Sequence, residues 1–202
     1  GTPSDITTFP FDRNKSGFTW SKDEESIYFT AQSNGGAPIY KLDIKSKKIN
    51  QITSNIAGVN SFDVNGNKIV YTKTQVSNPS EMYMSEDLGK QEKRLTSFNH
   101  EWLQKKKLSM PEAASFVNEK GQTIEYWVMK PANYEAGKKY PTILNIHGGP
   151  SAMWGPGESS MWHEYQYYCA KGYTVVYSNP RGSGGYGEQF LQGNLNDWGA
   201  GP

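Results

Sequence analysis

Thr142-Ile143-Leu144-Asn145-Ile146-His147-Gly148-Gly149-Pro150 decides how the second half of this chain is read. The first five residues form a short apolar run that reads as a strand, and the histidine, two glycines and proline read as a tight loop on its end. A backbone that must come close to a developing negative charge needs residues with nothing projecting from Cα, so Gly148 and Gly149 are the candidate donors. Pro150 has no N–H to offer. By itself, a Gly-Gly-Pro turn after any strand has the same letters.

The flanking sequence gives the loop a setting. Upstream, Glu112–Glu119 and Thr123–Lys130 read as two strands joined by Lys120-Gly121, and residues 131–141 as a polar loop. Downstream, Ser160–Lys171 reads as a helix stopped by Gly172, Tyr173–Tyr177 as a buried strand, and Asn179–Gly187 as a glycine-rich loop. Strand, loop, helix and strand in that order predict the opening of an α/β sheet. In α/β-hydrolases an oxyanion donor lies in the loop after the third strand, where an HGGG-type motif sits.

Two other motifs fail on inspection. Gly182-Ser183-Gly184-Gly185-Tyr186-Gly187 spells G-x-G-x-x-G, but Pro180-Arg181 intervene after the strand and Asp197 comes too early to be the ribose-binding acid. It reads as a surface loop. A G-x-S-x-G elbow has no complete match: Gly157-Glu158-Ser159-Ser160-Met161 lacks the second glycine, and Ser183 has Arg181 where the first belongs. His100, His147 and His163 are the only histidines, and none follows such an elbow. His100 and His163 read as packed or surface residues.

Residues 18–97 repeat. Trp20-Ser21-Lys22-Asp23 leads into Ile27-Tyr28-Phe29-Thr30, and 42 residues on Phe62-Asp63-Val64-Asn65-Gly66 leads into Ile69-Val70-Tyr71-Thr72. Ile39-Tyr40 returns as Met82-Tyr83 and Ile52-Thr53-Ser54 as Leu95-Thr96-Ser97, both 43 residues apart. Short alternating strands at this period predict four-stranded propeller blades; an ordinary antiparallel sandwich is the alternative. Blades bury their faces only against one another, so about two of them predict further blades upstream.

Composition excludes several classes. The 202 residues carry a net charge of +1, with +3 over residues 1–108 and −2 over 109–202, so neither half has the field of a nucleic-acid binder. Lys105, Lys106 and Lys107 form the one tight basic run and read as a solvated surface. The single Cys169 rules out an internal disulfide, a cysteine-rich zinc site and an iron–sulfur cluster; it reads as a packed structural thiol. No metal or cofactor is expected. Mean hydropathy is −0.75, no run is long enough to span a membrane, no signal peptide is visible, and a cytoplasmic location is expected.

In order along the chain, Leu95-Thr96, Asn99-His100-Glu101-Trp102-Leu103, Tyr126-Trp127-Val128-Met129-Lys130-Pro131, Tyr140-Pro141, Ile146–Pro150, Gly172-Tyr173, Asn179–Gly187 with Phe190, and Asp197-Trp198-Gly199 resemble prolyl-oligopeptidase-type (S9) serine peptidases. The branch most resembled is that of acylaminoacyl and dipeptidyl peptidases. The resemblance implies a mixed fold: the C-terminal blades of a β-propeller over residues 1–108, then the N-terminal part of an α/β-hydrolase domain over 109–202, incomplete. It implies a serine peptidase cleaving short peptides through an acyl-enzyme, with Gly149 and Gly148 as oxyanion-hole backbone and His147 orienting their loop. Relatives in the prolyl oligopeptidase branch carry Tyr at the position of His147. Arg181 and Tyr186 fall on the substrate-side loop, Arg181 as a structural hydrogen-bonder. The family's Ser, Asp and His would come after Asp197-Trp198-Gly199, so the resemblance implies an internal piece with no triad, inactive by itself. A carboxylesterase or lipase, and a non-catalytic TolB-like binding propeller, are the alternatives. Unpaired strand edges predict a homo-oligomer.

Overall fold

The computed structural model describes residues 11–149, 151–158 and 161–197. The first half builds two four-stranded antiparallel meanders. β1 (Lys15–Trp20), β2 (Ser26–Ala31), β3 (Ile39–Asp43) and β4 (Ile49–Gln51) pair in that order, and so do β5 (Gly58–Asn65), β6 (Lys68–Gln75), β7 (Asn78–Ser85) and β8 (Lys93–Arg94). The repeat seen in the sequence is therefore a repeat of sheet topology. Asn65-Gly66 makes the β5–β6 turn with Gly66 at φ +58°, the left-handed conformation such turns need.

Alternation along β2 serves two cores at once, because neighbouring side chains point to opposite faces. Tyr28 joins Ile39, Val59, Ile69, Tyr71 and Tyr83 in a cluster shared by the two meanders. Phe29 and Ala31 turn the other way, to Tyr40, Leu42 and Phe11. β1 stays an edge strand, with Phe18 and Trp20 exposed.

Past a short helix α1 (His100–Leu103), the second half forms a mixed sheet. Its strands are β9 (Pro111–Val117), β10 (Thr123–Met129), β11 (Thr142–Asn145) and β12 (Thr174–Ser178), in the order β11-β12-β10-β9. Only β11 and β12 run parallel, and α2 (Trp162–Ala170) supplies the crossover such a pair requires. Gly172, at φ +93°, ends α2: its N–H and that of Tyr173 return to the carbonyls of Cys169 and Tyr168. Tyr165 stacks on Tyr177 with ring centroids 4.5 Å apart, and Trp127 also stacks on Tyr177, at 5.6 Å. Cys169 is buried in this cluster, and burial pushes its thiol pKa up.

The halves meet through backbone. The 155–158 loop runs between hairpins of both meanders: Gly157 N donates to Gly35 O at 3.1 Å, and Pro156 O accepts from Val76 N at 2.9 Å. No helix among the described residues is long and apolar enough to cross a membrane.

Candidate active site

β11 delivers the chain to the glycine loop. Gly149 has φ +136°, and a Cβ there would stand 3.0 Å from both the backbone nitrogen and the Cβ of Ala152. A Cβ on Gly148 would meet nothing within 4 Å. Both glycines are exposed, and neither N–H donates to any acceptor among the described residues. Two adjacent, unpaired backbone donors on a strained turn form a place where negative charge can be received.

The loop is held from below by a buried asparagine. Asn179, fully buried at the end of β12, reaches both ends of the loop. Its Oδ1 accepts from Trp154 N at 2.8 Å and lies 3.1 Å from His147 Nε2, while its Nδ2 donates to Trp154 O. Strand β12 thus fixes where the glycine loop leaves and where it returns. The His147 ring also packs against Trp154, with centroids 5.3 Å apart.

His147 and Ser183 stand within hydrogen-bonding reach, 3.2 Å between Nε2 and Oγ, which is the spacing of a nucleophile and its base. The surroundings give them another role. Ser183 donates its hydroxyl proton to Pro180 O at 2.7 Å, so it accepts from His147, and Nε2 shares its proton between Ser183 and Asn179. His147 Nδ1 lies 3.0 Å from Gly148 O, with no carboxylate on it. Both side chains are buried. The pair braces the loop.

A relay runs on from Asn179. Its Nδ2 also donates to Tyr186 Oη at 3.0 Å, and Tyr186 donates to the Glu125 carboxylate of β10. Burial first, and this bond to Glu125 second, hold the Tyr186 phenol well above its ordinary pKa. Asn34, in the β2–β3 hairpin, donates to the same carboxylate at 3.3 Å, and its backbone N–H bonds Gly185 O. Arg181 is buried and pairs with Asp197 at 2.8 Å, with Gly193 O as a further acceptor. Lys120 and then Arg181 hold the Asp197 carboxyl below the usual range.

The Gly182–Gly187 segment, read as a surface loop, is buried at Gly182 and Ser183 and half-buried over the rest. Asn179, Arg181, Gly182 and Ser183 are buried, because the loop packs beneath the glycine turn and against the first meander. Helix α3 (Glu188–Leu191) after it has only four residues. The expected roles of Gly148, Gly149 and His147 fall on one loop, with Tyr186 reaching it through Asn179; Arg181 faces Asp197 instead. Asn179, Trp154 and Glu125 had no motif to mark them. Pro150, Ser159-Ser160 and Trp198-Gly199 lie outside the described residues. Among those described, no three His, Cys, Asp or Glu side chains come together as a metal site.

Residues 159–202 match the prolyl oligopeptidase family of peptidases. An uncharacterized peptidase of Bacillus subtilis, YuxL, is 37% identical over 182 residues, 89% of this chain and 27% of its own length. Dipeptidyl-peptidase 5 of Arthroderma otae is 27% identical over 196 residues, 95% of this chain and 27% of its own length. The solved structure of Pyrococcus horikoshii acylaminoacyl peptidase superposes with a TM-score of 0.73 at 29% identity, over 89% of this chain and 27% of that one. The chain thus spans roughly a quarter of the length of these relatives.

Proposed function

The chain belongs to the prolyl oligopeptidase (S9) family, and from that premise we propose that residues 147–154 form the oxyanion-binding loop of a serine peptidase that releases dipeptides or acylated residues from short peptides. One observation carries the reading: Gly148 and Gly149 are exposed and their backbone N–H groups have no acceptor among the described residues, on a loop clamped at both ends by Asn179. When a nucleophile adds to a peptide carbonyl, the carbonyl oxygen takes up a full negative charge. Donors already pointing at that place stabilise it without reorganising. Gly149 supplies the first N–H, Gly148 sets its direction, and His147 and Asn179 keep both still. In this reading the two meanders over residues 1–108 are propeller blades that border the substrate cavity, and residues 109–202 begin the α/β-hydrolase domain. The relatives' names support a peptide substrate and a dipeptidyl- or acylaminoacyl-type cleavage.

The described residues contain one serine–histidine contact, Ser183–His147, and it is buried and committed to the loop. We therefore expect the 202-residue chain alone to leave peptide nitroanilides intact. The test of the oxyanion role uses the full-length gene product, assayed on acylated and dipeptidyl nitroanilides. Gly149→Ala, which forces a Cβ onto a strained turn, lowers kcat by about 10²–10³-fold, the cost of losing one oxyanion donor. An unchanged kcat in a folded Gly149→Ala protein overturns the assignment.

A further inference from the structure

A separate cavity of about 200 Å³ opens between the residues leading into β1 and the glycine-rich loop. Arg13, Lys15, Gln32, Ser151, Gly184 and Glu188 are among its walls. Ser151 lies two residues past Gly149, so the cavity adjoins the oxyanion loop along the chain. Its volume suits one side chain or one peptide terminus rather than a whole ligand.

Among the described residues, the walls hold two cations and two acids, and no ion pair joins them. Arg13 donates Nε to Ser33 Oγ at 3.3 Å and Nη1 to Asp12 O at 2.6 Å. Lys15 donates to the carbonyls of Phe11 and Arg13, both at 3.2 Å, with its ammonium 5.4 Å over the Phe11 ring. Both cations are half-buried and held in place by neutral groups, and neither pairs with a carboxylate among the described residues. The two acids in the walls, Asp12 and Glu188, are engaged by other partners. Both oxygens of Asp12 accept from Glu188 N, at 2.9 and 3.0 Å, and Glu188 Oε1 accepts from Gln192. The cavity therefore presents a guanidinium edge and an ammonium, held in place and in ion pairs with no carboxylate among the described residues. That geometry suits a carboxylate.

We propose that this cavity is a subsite for a peptide carboxylate, bound by Arg13 and Lys15 beside the oxyanion loop. It rests on the peptidase reading only in naming the ligand a peptide; the carboxylate preference is a property of these walls. The carboxylate could be a C-terminus or an acidic side chain, and two ligand pairs separate them.

The experiment is calorimetric titration of the 202-residue chain, in which no turnover is needed. N-acetyl-Ala-Ala is compared with its C-terminal amide, and N-acetyl-Ala-Glu-amide with N-acetyl-Ala-Gln-amide. At least one acid binds about tenfold more tightly than its neutral partner, a difference of about 1.4 kcal/mol, and the preference shrinks in molar salt. Arg13→Gln abolishes the preference and Arg13→Lys retains part of it, each variant being checked for native near-UV circular dichroism. Lys15→Gln provides a second reading if Arg13→Gln fails to fold. Equal affinity within both pairs, no binding of any of the four, or a preference that survives both neutral variants overturns the subsite. Failure here leaves the Gly149→Ala kinetics standing, and failure there leaves this selectivity standing, so the two assignments fall separately.

Discussion

Asn179 is the residue on which the site's geometry turns. A single amide with one acceptor oxygen and one donor nitrogen binds Trp154 through its backbone N–H and O, His147 through Nε2 and Tyr186 through its hydroxyl. Removing it strands several buried polar groups, each costing about 1–3 kcal/mol when left unsatisfied. Asn179→Ala should therefore lose about 3 kcal/mol of stability in urea unfolding, toward the large end for a single substitution. In full-length protein that still folds, kcat should fall about 10²-fold while KM moves little, because loosened donors affect the transition state more than the ground state. A fall in stability with kcat unchanged would make Asn179 a packing residue only. The loop carrying His147, Gly148 and Gly149 was legible in the sequence, since its shape is local: a strand, then backbone without side chains. Asn179 was not, because its importance comes from 25- and 32-residue separations that nothing in the letters announces.

At the scale of elements, the second meander is tied to the chain that leaves it by one buried acid. Glu81, 2% exposed in β7, accepts from the Thr96 hydroxyl, the backbone N–H groups of Phe98 and Asn99, and the Asn99 side chain. Burial works to raise its pKa, but these donors outweigh it and leave the carboxyl below its ordinary value near 4.5. A depressed folded value means that the stabilisation is complete above the unfolded pKa and is lost as pH falls through the folded one. Glu81→Gln should cost about 2 kcal/mol at neutral pH. Its stability curve should be flatter below pH 4.5, where the parental curve descends to meet it; parallel acid limbs in denaturant titrations would refute the linkage. The strands themselves were readable from alternation and turn residues, with ends displaced by a residue or two: β9 spans Pro111–Val117 where Glu112–Glu119 was expected. Gly182 and Ser183 were misplaced at the surface because glycine and serine look polar in sequence, whereas here they serve close packing.

Across the whole molecule, the meanders and the mixed sheet approach through glycines. A Cβ on Gly155 would stand 2.2 Å from Gly35 Cα, and one on Gly157 would stand 2.5 Å from Gly58 N. Neither neighbour is a side chain that could swing away, so Gly157→Ala must push the start of the second meander, at Ala57 and Gly58, off the 155–158 loop. We expect a loss of about 1–3 kcal/mol in unfolding, as for other overpacked contacts. Faster amide exchange at Val76, whose N–H bonds Pro156 O, should accompany it. Protection at Val76 equal to that of the parent would show that the contact tolerates the methyl group. The 42–43-residue period foretold two like sheets, but not that the loop at residues 155–158 would lie between their hairpins. That loop lies only a few residues along the chain from Gly148 and Gly149. If Gly148 and Gly149 receive a substrate carbonyl as proposed, a guest bulky enough to prise the sheets apart would also drag on those amides, and oversized peptides should be turned over more slowly than short ones.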